Sequence, residues 1–179
     1  RNISNKYPNS KFIVDVKSTS LFLTDEILKK NNSEVVFWKT GHSYIKRKTS
    51  EIDATAGFER SGHFFFNNPI GRGYDDGLLS ALEILKILDN NKNKKLNDLY
   101  NELPITFSSP TMSPKCSEER KYDVVKKLEK VFLNKMQKKE LLAGQKILSI
   151  LTVNGVRIHL EDGSWGLVRA SSNSPNLVV

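Results

Sequence analysis

The sequence predicts two units: an α/β domain built on βαβ steps and a mixed sheet, then a small α+β domain with antiparallel hairpins. Three observations carry this. Short apolar, β-branched runs alternate with helical stretches over the first 66 residues. A Pro- and Ser-rich stretch, from Leu103-Pro104 to Ser108-Ser109-Pro110-Thr111, then interrupts the chain. Beyond one amphipathic helix, the apolar period changes to two. The expected domains are residues 1–107 and 108–179.

Lys11 to Val16 is short and apolar, so it reads as a strand buried on both faces. A helix follows, capped near Ser20 and running to about Lys30, where Asn31-Asn32-Ser33 breaks it. Val35-Val36-Phe37-Trp38 is a second strand. A basic helix spans about Ser43 to Ser50, and a third strand runs from near Ala54 into Glu59. Strand, helix, strand, helix, strand at this spacing gives right-handed, Rossmann-like units with parallel strands. The loops at Lys17, at Lys39 to Ser43 and at Glu59 to His63 each follow a strand. They therefore share the carboxyl edge, where open α/β sheets bind ligands. Helix N-termini at the first two loops favour an anion there.

The stretch Glu59-Arg60-Ser61-Gly62-His63 lies between two apolar runs, with Phe64-Phe65-Phe66 on its far side. On a strand, period two would put Glu59, Ser61 and His63 on one face, suited to a polyhydroxylated ligand. The alternative is a tight, polar Ser-Gly turn, preferred on these five residues alone. After a turn-rich loop, Asp75 or Asp76 caps a helix with a stripe of Leu78, Leu79, Leu82, Leu85 and Leu88. The Asp pair lacks a third ligand nearby, and the three histidines and Cys116 do not fall at zinc spacings, so no metal site is expected.

In the second half, Glu118 to about Met136 is amphipathic, with Val124, Val125, Leu128, Val131 and Phe132 on one face. Leu151-Thr152-Val153, Asn154-Gly155 and Val156 to Leu160 form a hairpin signal, with Asn-Gly at a primed turn. Trp165-Gly166-Leu167-Val168 leads into the loop Arg169 to Pro175, and Leu177-Val178-Val179 is a short strand. An arginine fork, serine hydroxyls and loop amides together suit a phosphate. An ordinary Ser/Asn-rich surface loop accounts for them equally well.

The net charge is +8, with 38% apolar and 27% charged residues, as expected of a folded protein with anionic partners. No apolar run reaches the roughly 20 residues of a membrane span. One cysteine excludes an internal disulfide, and a cytoplasmic location is the default. The lysine-rich helices motivate one alternative, a nucleic-acid-binding module, although the aromatic interleaving that stacks bases is missing.

Together, Asp15-Val16-Lys17, Trp38-Lys39-Thr40-Gly41-His42-Ser43, Glu59 through Phe66, Asp75-Asp76-Gly77 and Trp165 through Ser171 resemble the α-D-phosphohexomutase superfamily. The resemblance is to its phosphomannomutase/phosphoglucomutase branch and covers the last two of that family's four domains. It implies a reversible exchange of phosphate between O1 and O6 of a hexose phosphate, an isomerase reaction. A phosphoserine, a hexose 1,6-bisphosphate intermediate and Mg2+ take part in it. The family's Ser-His-Asn-Pro phosphoserine loop and Asp-Gly-Asp-x-Asp-Arg magnesium loop are not found in this sequence. The resemblance therefore implies a partner in the family's first two domains, and an isolated half without turnover. Lys17, His42 and His63 match cleft residues near the reacting hydroxyl or phosphate. Glu59 and Ser61 match residues that hold sugar hydroxyls. Arg169, Ser171, Ser172 and Asn173 match the grip on the phosphate not being transferred. Ser172 and Asn173 depart from the commoner Asn-Thr pair. No residue distinguishes mannose from glucose.

Overall fold

The computed structural model describes all residues from Arg1 to Val179. They form two compact units, Arg1–Ser108 and Ser109–Val179.

The first unit begins with α1 (Asn2–Lys6), β1 (Lys11–Asp15), α2 (Leu21–Thr24), α3 (Glu26–Lys30) and β2 (Glu34–Trp38). It continues through α4 (His42–Glu51), β3 (Ala56–Phe58), β4 (Phe64–Phe66), α5 (Gly77–Asp89) and α6 (Leu96–Asn101). The sheet order is β2-β1-β3-β4. β1 pairs parallel with both β2 and β3, and β4 returns antiparallel to β3. Side chains alternate across a strand, so β1 supplies two cores. Phe12 packs with Leu28, Ala56 and Phe66 on one face, while Ile13 packs with Ile45, Ala54 and Phe65 on the other. The helices between β1 and β2 thus cover one face and α4 the other. The chain changes side between β1 and β3, which makes that gap the topological switch point.

Several expectations change here. The single helix from Ser20 to Lys30 is two helices, broken at Asp25. Asp25 is extended (φ −60°, ψ 118°), and its Oδ1 accepts from the Ile27 and Leu28 amides at 3.0 and 3.1 Å. A carboxylate bonded to following amides stabilises a helix start, not a helix interior. The leucine stripe of α5 is largely solvent-facing: Leu78 is 75%, Leu85 58% and Leu82 45% exposed, and Leu79 packs against the core. Sequence reading missed α1 and α6, both too short to show a period.

The second unit has α7 (Lys121–Gln137), β5 (Ile147–Leu151), β6 (Val156–Leu160), β7 (Trp165–Ala170) and β8 (Leu177–Val178). The strands form an antiparallel sheet in order β5-β6-β7-β8, and α7 packs on β5, β6 and β7. The Asn-Gly hairpin exists, but not as a two-residue turn. Leu151 lies opposite Arg157, and Asn154 does not have the positive φ that a primed turn requires. Gly155 meets a different demand. At φ +109°, a Cβ there would sit 2.4 Å from the Val168 carbonyl oxygen and 2.5 Å from Arg169 Cβ. The glycine lets two backbones approach closely beside Arg169.

Candidate functional site

The carboxyl ends of β1, β2 and β3 gather a set of buried oxygens without hydrogen-bond partners: Asp15 Oδ2, Thr40 Oγ1 and Glu59 Oε1. Each belongs to the end of, or the loop after, a different parallel strand. Buried polar atoms ordinarily have hydrogen-bond partners, so three without one on a single edge set it apart from the rest of the unit.

Asp15 closes β1 with no exposed surface. Its Oδ1 accepts from the Ser18 hydroxyl at 2.9 Å and from the Lys17 amide at 3.2 Å. The Lys17 ammonium stands 3.4 Å from Asp15 Oδ2, an ion pair too long for a good hydrogen bond. Lys17 is thereby held at the edge while keeping donors for a ligand. After β2, Gly41 takes φ +124° and caps α4, whose first residue is the exposed His42. Its Nε2 is 3.5 Å from the Ser43 hydroxyl. The first amides of α4 face outward at the same edge, which suits a negative group.

Glu59 to His63 is a turn, not a strand. The Gly62 amide donates to Glu59 O and the Glu59 amide to His63 O, each at 2.9 Å, with Gly62 at φ +92°. The three polar side chains consequently do not share one strand face. Glu59 is 6% exposed, whereas Ser61 and His63 are exposed. The Ser61 hydroxyl reaches Glu59 Oε2 at only 3.5 Å. A buried carboxylate this poorly bonded is costly unless a ligand supplies donors, and sugar hydroxyls do so.

His63 Nδ1 lies 2.7 Å from Asp75 Oδ2. A carboxylate requires a donor, so Nδ1 carries the proton and neutral imidazole keeps Nε2 as an acceptor. The sequence did not reveal this partner. It treated Asp75 and Asp76 as alternative caps, but the two divide the work. Asp76 Oδ1 caps α5 through the Leu79 amide at 2.9 Å, while Asp75 orients His63. Thr40 was also missed, although it lies inside the Trp38 to Ser43 motif. Its signal is burial, which a sequence does not display.

In the second unit, Arg169 is the last residue but one of β7, beside Gly155, and its Nη1 donates to Ala170 O at 3.4 Å. The loop that follows is folded on itself. The Ser171 and Ser174 hydroxyls are 2.9 Å apart, and the Asn173 amide donates to Ser171 Oγ at 3.3 Å. Ser172 and Asn173 are exposed at its tip. Arg169 thus stands near the end of β7, and Ser171, Ser172 and Asn173 in the loop that follows it. Lys17, His42, Glu59, Ser61 and His63 stand on the edge of the other unit's sheet.

No group of three or more His, Cys, Asp or Glu side chains stands together in this chain, so these residues do not fit a magnesium ion. No helix is long and apolar enough to cross a membrane. Four lysines pair locally with carboxylates: Lys48 with Glu51, Lys86 with Glu83, Lys135 with Glu140 and Lys146 with Glu161. The alternative of a nucleic-acid-binding module gains no support from this arrangement.

Residues 1–107 match the family model described as phosphoglucomutase/phosphomannomutase, alpha/beta/alpha domain III. A phosphomannomutase/phosphoglucomutase of Pseudomonas syringae pv. tomato is 34% identical over 96% of this chain and 34% of its own length. A phosphoglucomutase of Neisseria meningitidis serogroup A is 32% identical over all of this chain and 36% of its own length. The crystal structure of a phosphoglucomutase/phosphomannomutase family protein from Burkholderia thailandensis superimposes with a TM-score of 0.79 at 28% identity, over 99% of this chain and 34% of that one. The chain thus spans about a third of the length of the curated relatives it matches. On the matched domain and these relatives, the chain belongs to the phosphoglucomutase/phosphomannomutase family.

Proposed function

We propose that this chain supplies the sugar-reading and phosphate-gripping parts of a phosphohexomutase that interconverts hexose 1-phosphate and hexose 6-phosphate. The observation that supports this reading is the row of buried oxygens without hydrogen-bond partners, Asp15 Oδ2 (ion-paired to Lys17), Thr40 Oγ1 and Glu59 Oε1, at the carboxyl edge of the first unit. Acceptors there ask for a ligand rich in hydroxyl donors, and the family relation supports a hexose phosphate.

In this reading, residues 1–107 are the family's sugar-binding domain 3, and residues 108–179 belong to its phosphate-binding domain 4. Glu59, with Ser61, accepts sugar hydroxyl protons. Lys17 and the start of α4 at His42 stabilise the charge of a phosphoryl group. His63, oriented by Asp75, holds or moves a proton at the reacting hydroxyl through Nε2. Arg169, Ser171, Ser172 and Asn173 bind the phosphate that is not transferred. Phosphoryl transfer depends mainly on positioning and charge stabilisation, and these residues supply both. A sugar that must react at either end needs contacts usable both ways round, which a carboxylate reading hydroxyls provides. The phosphoserine donor, the bisphosphate intermediate and the magnesium of the reaction belong to the rest of the enzyme. These 179 residues alone are therefore expected to bind hexose phosphate without isomerising it. A cytoplasmic location accompanies this proposal.

The test is kinetic and uses the complete enzyme. Arg169→Lys keeps the charge but loses the planar fork, so it raises KM and lowers kcat together. A substrate lacking the remote phosphate is nearly insensitive to the change. Wild-type constants in Arg169→Lys, at matched folded fraction, would remove phosphate binding from this loop.

A further inference from the structure

Lys121, the first residue of α7, has no exposed surface. A buried ammonium is costly unless its donors are used. Its Nζ donates to Ser171 O at 2.6 Å and to Ser174 O at 3.3 Å, and lies 2.6 Å from Glu118 Oε1. Three partners fill the three N–H bonds of an ammonium. Two of them are backbone carbonyls of the loop read above as the phosphate grip, while Glu118 offsets the charge.

We propose that Lys121 is a positioning residue for that loop, holding the Ser171 and Ser174 carbonyls inward so that the Ser172 amide faces an incoming phosphate. The Ser171–Ser172 peptide is trans, since Asn68–Pro69 is the one cis bond. In a trans peptide, C=O and N–H point in opposite directions. A Ser171 carbonyl fixed on buried Lys121 therefore turns the Ser172 N–H toward the exposed side, where Ser172 and Asn173 form the tip. Without the ammonium, the Ser174 carbonyl still accepts from the Asn176 amide at 2.8 Å, but the Ser171 carbonyl loses its donor. Rotation of the first peptide relieves that and points an oxygen, not an N–H, at the anion. The Ser171–Ser174 hydroxyl pair steadies the loop but makes no contact with either carbonyl that Lys121 holds. The lysine thus acts through orientation of the backbone and touches no ligand itself. This inference rests on the phosphate reading of Arg169 to Pro175.

The experiment follows backbone amide resonances of the ¹⁵N-labelled chain during titration with inorganic phosphate, in wild type, Lys121→Met and Lys121→Arg. In wild type, the Ser172 amide shifts with phosphate. In Lys121→Met, with β5, β6 and β7 resonances unchanged, phosphate affinity falls about fivefold, the scale of one net hydrogen bond, and the Ser172 shift is lost. Lys121→Arg, which keeps a cation under the carbonyls, recovers part of both. Unchanged affinity in a folded Lys121→Met would overturn the positioning role. Should Lys121→Met not fold, the wild-type ζ-ammonium resonance decides: it moves in step with the Ser172 amide, and an ammonium that ignores phosphate overturns the proposal. A wild type with no shift anywhere from 169 to 175 would instead defeat the phosphate reading itself.

Discussion

The two units handle buried polarity in opposite ways. In the first, β1 is apolar on both faces, and buried oxygens without hydrogen-bond partners collect where strands end: one each on Asp15, Thr40 and Glu59. In the second, charged groups lie inside the fold. Arg157, on central strand β6, has no exposed surface and stacks 3.8 Å over the Trp165 ring. Its Nε donates to His159 Nε2 at 3.0 Å. Lys121 is equally buried, under the loop. The first unit has an apolar frame and gathers its unbonded buried oxygens at the strand ends. The second spends buried cations on shaping its own backbone. Polar substitutions should therefore damage binding in the first unit and folding or loop geometry in the second.

The largest expected effect is on the second unit's close backbone approach. Gly155→Ala puts a Cβ against the backbone of Val168 and Arg169 in a left-handed conformation, at a cost of roughly 3 kcal/mol. Gly57→Ala, in the first unit, meets the side chains of Ile45 and Thr49 at 2.6 Å, so α4 must shift, at about 2 kcal/mol. Urea melts of both variants check the order, and equal midpoints would erase the contrast.

How much of this was legible without coordinates follows from range. The βαβ steps, the parallel strands and the carboxyl-edge loops were legible, because local period and connection rules determine them. The hairpin around Asn154-Gly155 was located but misaligned. Its glycine answers to Val168 and Arg169 across the sheet, which no local signal reports. The leucines of α5 were legible as one stripe but their exposure was not, because period says which residues share a face, not what covers it. Of the site, the motif residues were found through resemblance. The Asp75–His63 pair and Lys121 escaped because both depend on contacts distant in sequence.

A smaller effect is a pH dependence confined to the second unit. Burial, then the neighbouring Arg157, lowers the pKa of His159 from 6.5 to about 4. The unfolded histidine binds a proton near pH 6.5 while the folded one stays neutral, so unfolding takes up a proton between these values. Stability is full above pH 6.5 and falls as pH drops toward 4, by up to about 2 kcal/mol. Asp25 in the first unit behaves otherwise. Burial raises its pKa, but hydrogen bonds from Arg1, Leu28 and Ile27 outweigh that and hold it below the ordinary carboxylate value, so its contribution is lost only at lower pH. Trp165 fluorescence in a Trp38→Phe background should show the slope between pH 6.5 and 4.5, and His159→Gln should abolish it. A slope that survives in His159→Gln would place the titrating group elsewhere.

Smaller still is the cap of α5. Asp76→Ala removes the bond to the Leu79 amide and costs about 1 kcal/mol, while Asp76→Asn retains most of it. Circular dichroism melts of the two variants separate capping from charge.

The central claim is that the unpaired edge of the first unit reads sugar hydroxyls while the loop of the second reads phosphate. The direct measurement is the affinity of the chain for glucose 6-phosphate and for inorganic phosphate, in wild type and in Glu59→Gln. The amide keeps the shape of Glu59 but loses charge-assisted acceptance, worth on the order of 1.5–3 kcal/mol per bond. Glu59→Gln should weaken glucose 6-phosphate binding by tenfold or more, about 1.4 kcal/mol, and leave inorganic phosphate binding unchanged. Equal affinities for glucose 6-phosphate in the two proteins would contradict the account and leave Glu59 a structural residue of the turn.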